Sequence, residues 1–258
     1  MKMHEGRIAK MEGAVFFDPL PFADSKEHWG KLCEQTRPAI RQALSLFGFR
    51  EKLEIIVADE GFKFHYPVGD TEHSISVTKA QASFECKRLK VTGGVPPELA
   101  PVMEAAIKAV GREDWFEIGS IIYFAIPLKG AKGSTVASNV LRRFLLTSGK
   151  EIADRVFVDG EIKGLDLKLM GISGKTRVAW NVYNQQEDQH VVVSLDMKMY
   201  RHEMENDSIA GFISRLFGTF MERCAPFVQD ILSSQDLASY IDNSFLSEGV
   251  NPDVTSVL

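Results

Sequence analysis

Residues 165–183 read LDLKLMGISGKTRVAWNVY, and residues 190–200 read HVVVSLDMKMY. In both stretches apolar side chains recur at every second position, which is the period of a β-strand with one buried face. Residues 171–174 and 184–188 consist mostly of residue types that form turns. The pattern therefore predicts three consecutive antiparallel strands, over residues 165–171, 176–183 and 190–200.

A long amphipathic helix is predicted directly after these strands, over residues 209–232. Asn206 or Asp207 is expected to cap it, and Pro226 to bend it in its last third. The apolar residues recur at steps of three and four and form one broad stripe: Ile209, Phe212, Ile213, Leu216, Phe217, Phe220, Met221, Cys224, Phe227, Val228, Ile231 and Leu232. Such a stripe needs a sheet face or another helix to cover it, so we expect this helix to be a main anchor of the fold.

A weaker version of the same order, strands and then a helix, occupies residues 53–110. A strand over residues 53–57 is predicted first, and a helix over residues 98–110, ended by Gly111, closes this stretch. Three further strands are predicted around alternating apolar residues, namely Phe62, Phe64 and Tyr66, then Ile75 and Val77, then Ala82 and Phe84. An offset of 116 residues superimposes Phe64 on Trp180, Tyr66 on Val182, Ile75 on Val191, Val77 on Val193 and Phe84 on Tyr200. This match suggests an internal duplication, although few residues are identical.

The rest of the chain predicts further elements of the same sheet. Residues 1–13 are expected to be loosely held, and the short apolar run at residues 14–17 to form an edge strand, because prolines follow it. A helix over residues 26–47, capped by Ser25, should be kinked or split at Pro38. The apolar residues 115–128 predict a central strand buried on both faces. A helix over residues 134–146 and a strand over residues 156–158 follow.

These patterns together predict the α+β fold class, with antiparallel β-meanders and helices packed on the sheet. If the duplication is real, the fold consists of two pseudo-repeats. We predict a first meander-plus-helix unit over residues 1–130, a second unit packed on it over residues 131–235, and a flexible tail over residues 236–258.

Composition and charge indicate a soluble globular protein. The net charge of −5 argues against partners such as nucleic acid or anionic membranes, whose binders usually carry a strong positive field. No signal peptide and no apolar run of about 18 residues is visible. The three cysteines are scattered and are interpreted as buried free thiols. We therefore expect a cytoplasmic protein.

Two glycine-containing motifs resemble phosphate-binding loops without meeting their requirements. Gly174-Lys175-Thr176 has Leu169 where the first glycine is needed and lies between two strands, so a hairpin turn is favoured. Residues 130–135, GAKGST, lead from a strand into a helix but also lack the spacing, and an anion at that helix start is the alternative. The basic residues nearby are interpreted as a solvated helix face: Lys129, Lys132, Arg142, Arg143, Lys150 and Arg155.

No residues are predicted to be catalytic, to bind a cofactor or to bind a metal. Four residues could form a metal cluster, His202, Glu203, Glu205 and Asp207, but they occur where a strand gives way to a helix, and a polar loop is the simpler interpretation. His73 and His190 are interpreted as facing solvent near strand starts. The carboxylates that could form a catalytic pair are Glu117, Asp154, Asp166 and Asp196, and nothing in their spacing selects two.

The leading functional hypothesis is a non-catalytic binding or protein-interaction module, with a partner protein or a second copy of the chain at a sheet edge or at the closing helix. The alternative is a small-molecule-binding protein or enzyme, with an apolar cavity between a curved sheet and the C-terminal helix. Phe64, Tyr66, Trp180 and Phe217 would line that cavity, and a small apolar ligand would fill it.

The strand SLDMKMY at residues 194–200, followed by the Phe-rich helix at residues 209–227, resembles the end of a sporadically distributed, uncharacterised bacterial protein family. Members of that family carry a Leu-Asp-x-x-x-Tyr strand, to which Leu195, Asp196 and Tyr200 correspond. The central strand departs from the family, which tends to carry an arginine and an asparagine where residues 119–126 are almost wholly apolar. The resemblance covers the last third of the chain and implies an architecture, with no established activity.

Overall fold

In the part of the chain that the structure describes, nine antiparallel strands form a single sheet, and three α-helices pack on it. The computed structural model describes residues 7–21, 25–49, 53–90, 93–127, 165–184, 190–204, 208–226 and 229, and every structural statement concerns these residues. The elements are β1 (Arg7–Phe16), α1 (Lys26–Ser45), β2 (Glu54–Ala58), β3 (Gly61–Val68), β4 (Thr71–Thr78), β5 (Gln81–Lys90), α2 (Leu99–Ala109), β6 (Glu117–Pro127), β7 (Leu165–Ser173), β8 (Thr176–Asn184), β9 (His190–Tyr200) and α3 (Ile209–Thr219). The predicted α+β class is confirmed.

The sheet order is β2-β3-β4-β5-β1-β6-β9-β8-β7. The first meander, β2 to β5, therefore lies beside β1, and the second meander, β7 to β9, lies beside β6. β1 and β6 pair with each other at the centre, where Gly13 lies opposite Ser120. β5 and β9 occupy equivalent places beside this central pair, whereas the offset of 116 residues superimposes β4 on β9. The internal duplication stays a prediction.

β1 is a central strand, so the prediction of an edge strand over residues 14–17 is wrong, and so is that of a loosely held start for residues 7–13; residues 1–6 lie outside the described residues. The strand begins at Arg7 and lies between β5 and β6. Ile8, Met11 and Val15 are almost completely buried in the main core. Lys10 and Glu12 lie on the opposite face, where they form an ion pair of 2.6 Å. The polar residues that suggested a loose start belong to this second face of the strand.

α1 is a single helix, so the predicted split at Pro38 is wrong. The Ser25 hydroxyl accepts a hydrogen bond from the His28 N–H at 3.3 Å and caps the helix as predicted. The helix continues to Ser45 with Pro38 inside it. Its stripe of Trp29, Cys33, Ile40 and Leu44 is buried in the main core. This burial along the whole helix holds both sides of the proline in register.

α3 and the turn after it carry the predicted apolar stripe as far as Cys224. Phe217 and Met221 are partly buried, and the other members are buried: Ile209, Phe212, Ile213, Leu216, Phe220 and Cys224. Its cap is Ser208, whose hydroxyl accepts a hydrogen bond from the Gly211 N–H at 3.1 Å, and not Asn206 or Asp207. Ser208 has the extended backbone, with φ −81° and ψ 168°, that a capping residue needs directly before the first helical residue. A π-helical turn over Phe220–Cys224 follows α3.

The predicted second meander and central strand are confirmed. In β6, Ile122, Phe124 and Ile126 face the main core, while Tyr123 and Ala125 are buried in a smaller cluster on the opposite face. Several predicted segments lie outside the described residues: the loop at 130–135, the helix at 134–146, the strand at 156–158 and the tail at 236–258.

Candidate interaction surface

The terminal strand β7 exposes large apolar side chains. Leu169 is 55% exposed, Met170 76% and Ile172 77%. Within the described residues β7 pairs only with β8, so its outer N–H and C=O groups face away from the sheet. Proteins usually protect such strands with charged residues, prolines or bulges, because an apolar free edge recruits other strands. The end of the sheet at β7 is therefore a candidate interaction surface.

Both faces of β7 contribute to this surface. Leu169 lies opposite Trp180 of β8, and Trp180 lies opposite the buried Leu195. Leu169 is therefore on the face of the sheet on which the helices pack, called the helix face below. Met170 lies opposite Ala179 and is on the other face. A strand in contact with water on one side should alternate apolar and polar residues. Apolar side chains on both faces are typical of a strand whose two faces are both covered by other parts of a protein.

A pocket of about 620 Å³ adjoins β7 on the helix face, between β7, β8 and the π-helical turn. Trp180 and Cys224 are among its lining residues. Burial raises the pKa of the Cys224 thiol to about 12, although a hydrogen bond with Trp180 opposes this shift. A thiol with so high a pKa is protonated at neutral pH, so Cys224 acts here as an apolar side chain rather than as a nucleophile.

Two exposed charged side chains of β7 lie on the face of the sheet opposite the helices. Asp166 is opposite Tyr183 and Lys168 is opposite Asn181, so both share the face of Met170. Their separation by two positions places opposite charges side by side along the edge.

The carboxylates considered for catalysis do not form a pair. Glu117 binds the Arg177 guanidinium at 2.7 Å, and this guanidinium also lies 4.3 Å from the centre of the Tyr200 ring. Glu117 is opposite Tyr200 in the β6–β9 register, so Asp196 lies four positions away along β9. Burial raises the pKa of Asp196, while the nearby Lys198, Lys168 and Arg177 partly offset this effect. Asp166 lies on the β7 edge, and Asp154 is outside the described residues.

His202 and Glu203 have structural contacts. The His202 ring stacks on Tyr200 at 5.6 Å between ring centres, and the Glu203 carboxylate accepts a hydrogen bond from the Tyr200 N–H at 3.4 Å. Glu205 and Asp207 are outside the described residues. In the described part of the chain, no group of three or more His, Cys, Asp or Glu side chains could hold a metal ion.

The remaining motifs have ordinary structural positions. Gly174 and Lys175 form the predicted hairpin turn between β7 and β8, with a φ of +61° at Gly174 that glycine adopts without strain. Phe64 and Tyr66, which were expected to line a cavity, are fully buried in the core. Phe217 packs partly buried against that core, and Trp180 borders the pocket beside β7.

A buried polar pair was missed from the sequence. His73 is 1% exposed, which contradicts its predicted contact with solvent, and its Nδ1 lies 2.7 Å from the Glu98 Oε1. The side chain of Glu98 is 6% exposed. Strand alternation carries the signal that could have placed His73, because Ile75 and Val77, two and four positions later, are core residues.

The hydrogen bonds of Thr71 indicate how protons are arranged in this pair. The Thr71 hydroxyl has one proton and lies 2.6 Å from the Val68 carbonyl oxygen and 3.0 Å from His73 Nε2. We assign that proton to the shorter contact, so that Thr71 donates to Val68 and accepts from Nε2. With this assignment Nε2 carries a proton, a second proton lies between Nδ1 and the Glu98 carboxyl, and His73 and Glu98 together have no net charge.

No helix in the described part of the chain is both long and apolar enough to cross a lipid bilayer. Comparison with models of known protein families finds no match, and neither does comparison with curated protein sequences. The resemblance to an uncharacterised bacterial family thus stays a prediction.

Proposed function

We propose that the protein is a non-catalytic interaction module that binds a second copy of itself through the edge of β7. The observation that carries this proposal is the exposure of Leu169, Met170 and Ile172 on a terminal strand. Antiparallel addition of another strand would supply partners for outer N–H and C=O groups of β7 and bring apolar side chains such as Leu169 into contact with the second copy.

Charge complementarity supports a second copy as the partner. When two identical strands pair antiparallel about a twofold axis at Leu167, Asp166 of each copy lies opposite Lys168 of the other. The symmetry creates this favourable pair twice. A register centred on Leu169 would instead place Asp166 opposite Ile172. We therefore propose the register centred on Leu167, which pairs residues 165–169 of one copy with residues 165–169 of the other.

The other terminal strand, β2, fits this role less well. It has five residues, and only Ile56 among its large apolar side chains is exposed. Its neighbours Ile55 and Val57 pack against the main core. The proposed dimer thus uses one end of the sheet, which gives a closed assembly and not a filament.

We further propose that this dimer works in the cytoplasm of a bacterial cell. Cys33, Cys86 and Cys224 are all free and buried, which fits a reducing compartment. The bacterial origin rests on the resemblance of residues 194–227 to the uncharacterised family.

A charge exchange tests the dimer and its register. Asp166→Lys and Lys168→Asp should each weaken dimerisation by about tenfold or more, because each places two like-charge pairs in the interface. The double variant D166K/K168D should restore dimerisation to within about threefold of the wild type, since opposite charges again face each other. Sedimentation equilibrium measures the dissociation constants.

Glu54→Lys on β2 is the matched control, because it changes the net charge as Asp166→Lys does on an exposed position of the other terminal strand. It should leave dimerisation unchanged. A wild-type protein that is monomeric at all concentrations, or a double variant as weak as the single ones, would show that β7 does not pair with a second copy in this way.

A further inference from the structure

A second pocket, of about 480 Å³, lies far along the sheet order from β7. Its described lining comes from three places in the chain: the end of α1 with the turn after it, the β3–β4 turn, and the start of α2. The described lining residues are Leu44, Phe47, Gly48, Phe49, Pro67, Val68, Gly69, Pro97 and Glu98. Apart from Glu98 they have no polar side chain. This volume falls within the range of small-molecule sites.

Glu98 is the one described lining residue with a polar side chain. It is the residue directly before the first turn of α2, where the helix dipole favours a carboxylate. Its bond to His73, which Thr71 orients in turn, fixes the position of the carboxyl group. A carboxylate has about four acceptor positions, so Glu98 can accept a hydrogen bond from a ligand while it stays bound to His73.

The net charge of the His73–Glu98 pair indicates which class of ligand the pocket can bind. With the proton assignment given above, His73 and Glu98 together carry no net charge, so an ammonium group would bring an uncompensated positive charge into the pocket. A carboxylate ligand would likewise bring an uncompensated negative charge, and it has no proton to donate to Glu98. A neutral N–H or O–H donor meets neither penalty, since it exchanges its hydrogen bond to water for one to Glu98.

The rings that line the pocket indicate the shape of the apolar part of the ligand. Phe47 and Phe49 stand on one side, and the rings of Pro67 and Pro97 belong to the other two segments. Flat aromatic molecules pack well against phenyl and proline rings, with edge and face contacts. Phe49 itself is held by an edge contact with the buried Tyr66, at 5.6 Å between ring centres.

We propose that this pocket binds a neutral aromatic molecule with a single hydrogen-bond donor, of the size of indole or a phenol, and that Glu98 accepts the hydrogen bond from that donor. This site is separate from the β7 edge, so it does not depend on the proposed dimer.

Indole and 1-methylindole make a matched pair of probes, because they differ in the N–H that would bind Glu98. Ligand-observed NMR titration of the full chain should give a dissociation constant for indole about tenfold lower than for 1-methylindole, since the methylated compound leaves the carboxyl group without that hydrogen bond. Tryptamine, which adds an ammonium group, should bind no more tightly than indole.

Two variants place the binding in this pocket. Phe47 is 42% exposed, so Phe47→Ala should spare the fold and weaken indole binding by about fivefold or more. Leu46→Ala is the control, because Leu46 is 76% exposed and is not among the lining residues. Equal affinities for indole and its methylated analogue, no binding of indole at its solubility limit, or an unchanged affinity in Phe47→Ala would overturn the proposal.

Discussion

Replacing Glu98 by leucine is expected to lower the free energy of unfolding by about 3 kcal/mol, because the other partner of a buried hydrogen-bonded pair is left unsatisfied. His73 would keep its bond to Thr71, but its Nδ1 would be left buried in an apolar surrounding. His73→Leu should cost a similar amount, because it leaves the Glu98 carboxyl without its imidazole. Urea unfolding followed by circular dichroism measures both values.

The double variant H73L/E98L distinguishes a coupled pair from two independent residues. Leucines in both positions remove the polar groups together, so we expect the double variant to be more stable than the sum of the single losses predicts, by about 2 kcal/mol or more. Additive losses, within about 0.5 kcal/mol, would contradict the pairing of His73 with Glu98.

The second large effect is expected from Phe212→Ala in α3. Phe212 is fully buried in the core, so its truncation should cost about 3–5 kcal/mol through lost burial and the cavity left behind. The expected change is a lower denaturant midpoint with an unchanged slope.

Phe217, one turn and a half further along the same helix, is the matched control because it is only partly buried. Phe217→Ala should cost about half as much or less. Equal losses for the two substitutions would mean that the face of α3 toward the sheet has been assigned wrongly.

The second meander and α3 could be predicted because their signals are local. Alternation over residues 165–200 and steps of three and four after Ile209 each lie within one element. β1 could not, because its central place depends on pairing with β5 and β6, far away in the chain. The polar residues of β1, such as Lys10 and Glu12, are typical of a loosely held terminus in the sequence. In the structure they lie on the face of β1 opposite the main core.

The candidate sites follow the same rule: features set by neighbouring residues could be predicted, and features set by distant pairings could not. The sequence predicts a sheet edge as a candidate interaction surface, but it does not say which strand lies at the end, since strand order is set by distant pairings. His73 lies near the start of β4, which favours contact with solvent, but the alternation with Ile75 and Val77 places it on the core face. The pocket at Glu98 was not foreseen, since three separate segments form it.

A disulfide across the proposed twofold axis tests the pairing of β7 most directly. Leu167 would lie opposite its own copy, within the distance that a disulfide spans, so the Leu167→Cys variant should form a covalent dimer on mild oxidation. The three natural cysteines are buried and should not compete. Leu169→Cys is the control, because the proposed register places the two copies of that residue about 13 Å apart. Covalent dimers from Leu167→Cys alone are the predicted result; cross-linking of Leu169→Cys instead, or of neither variant, would contradict the account.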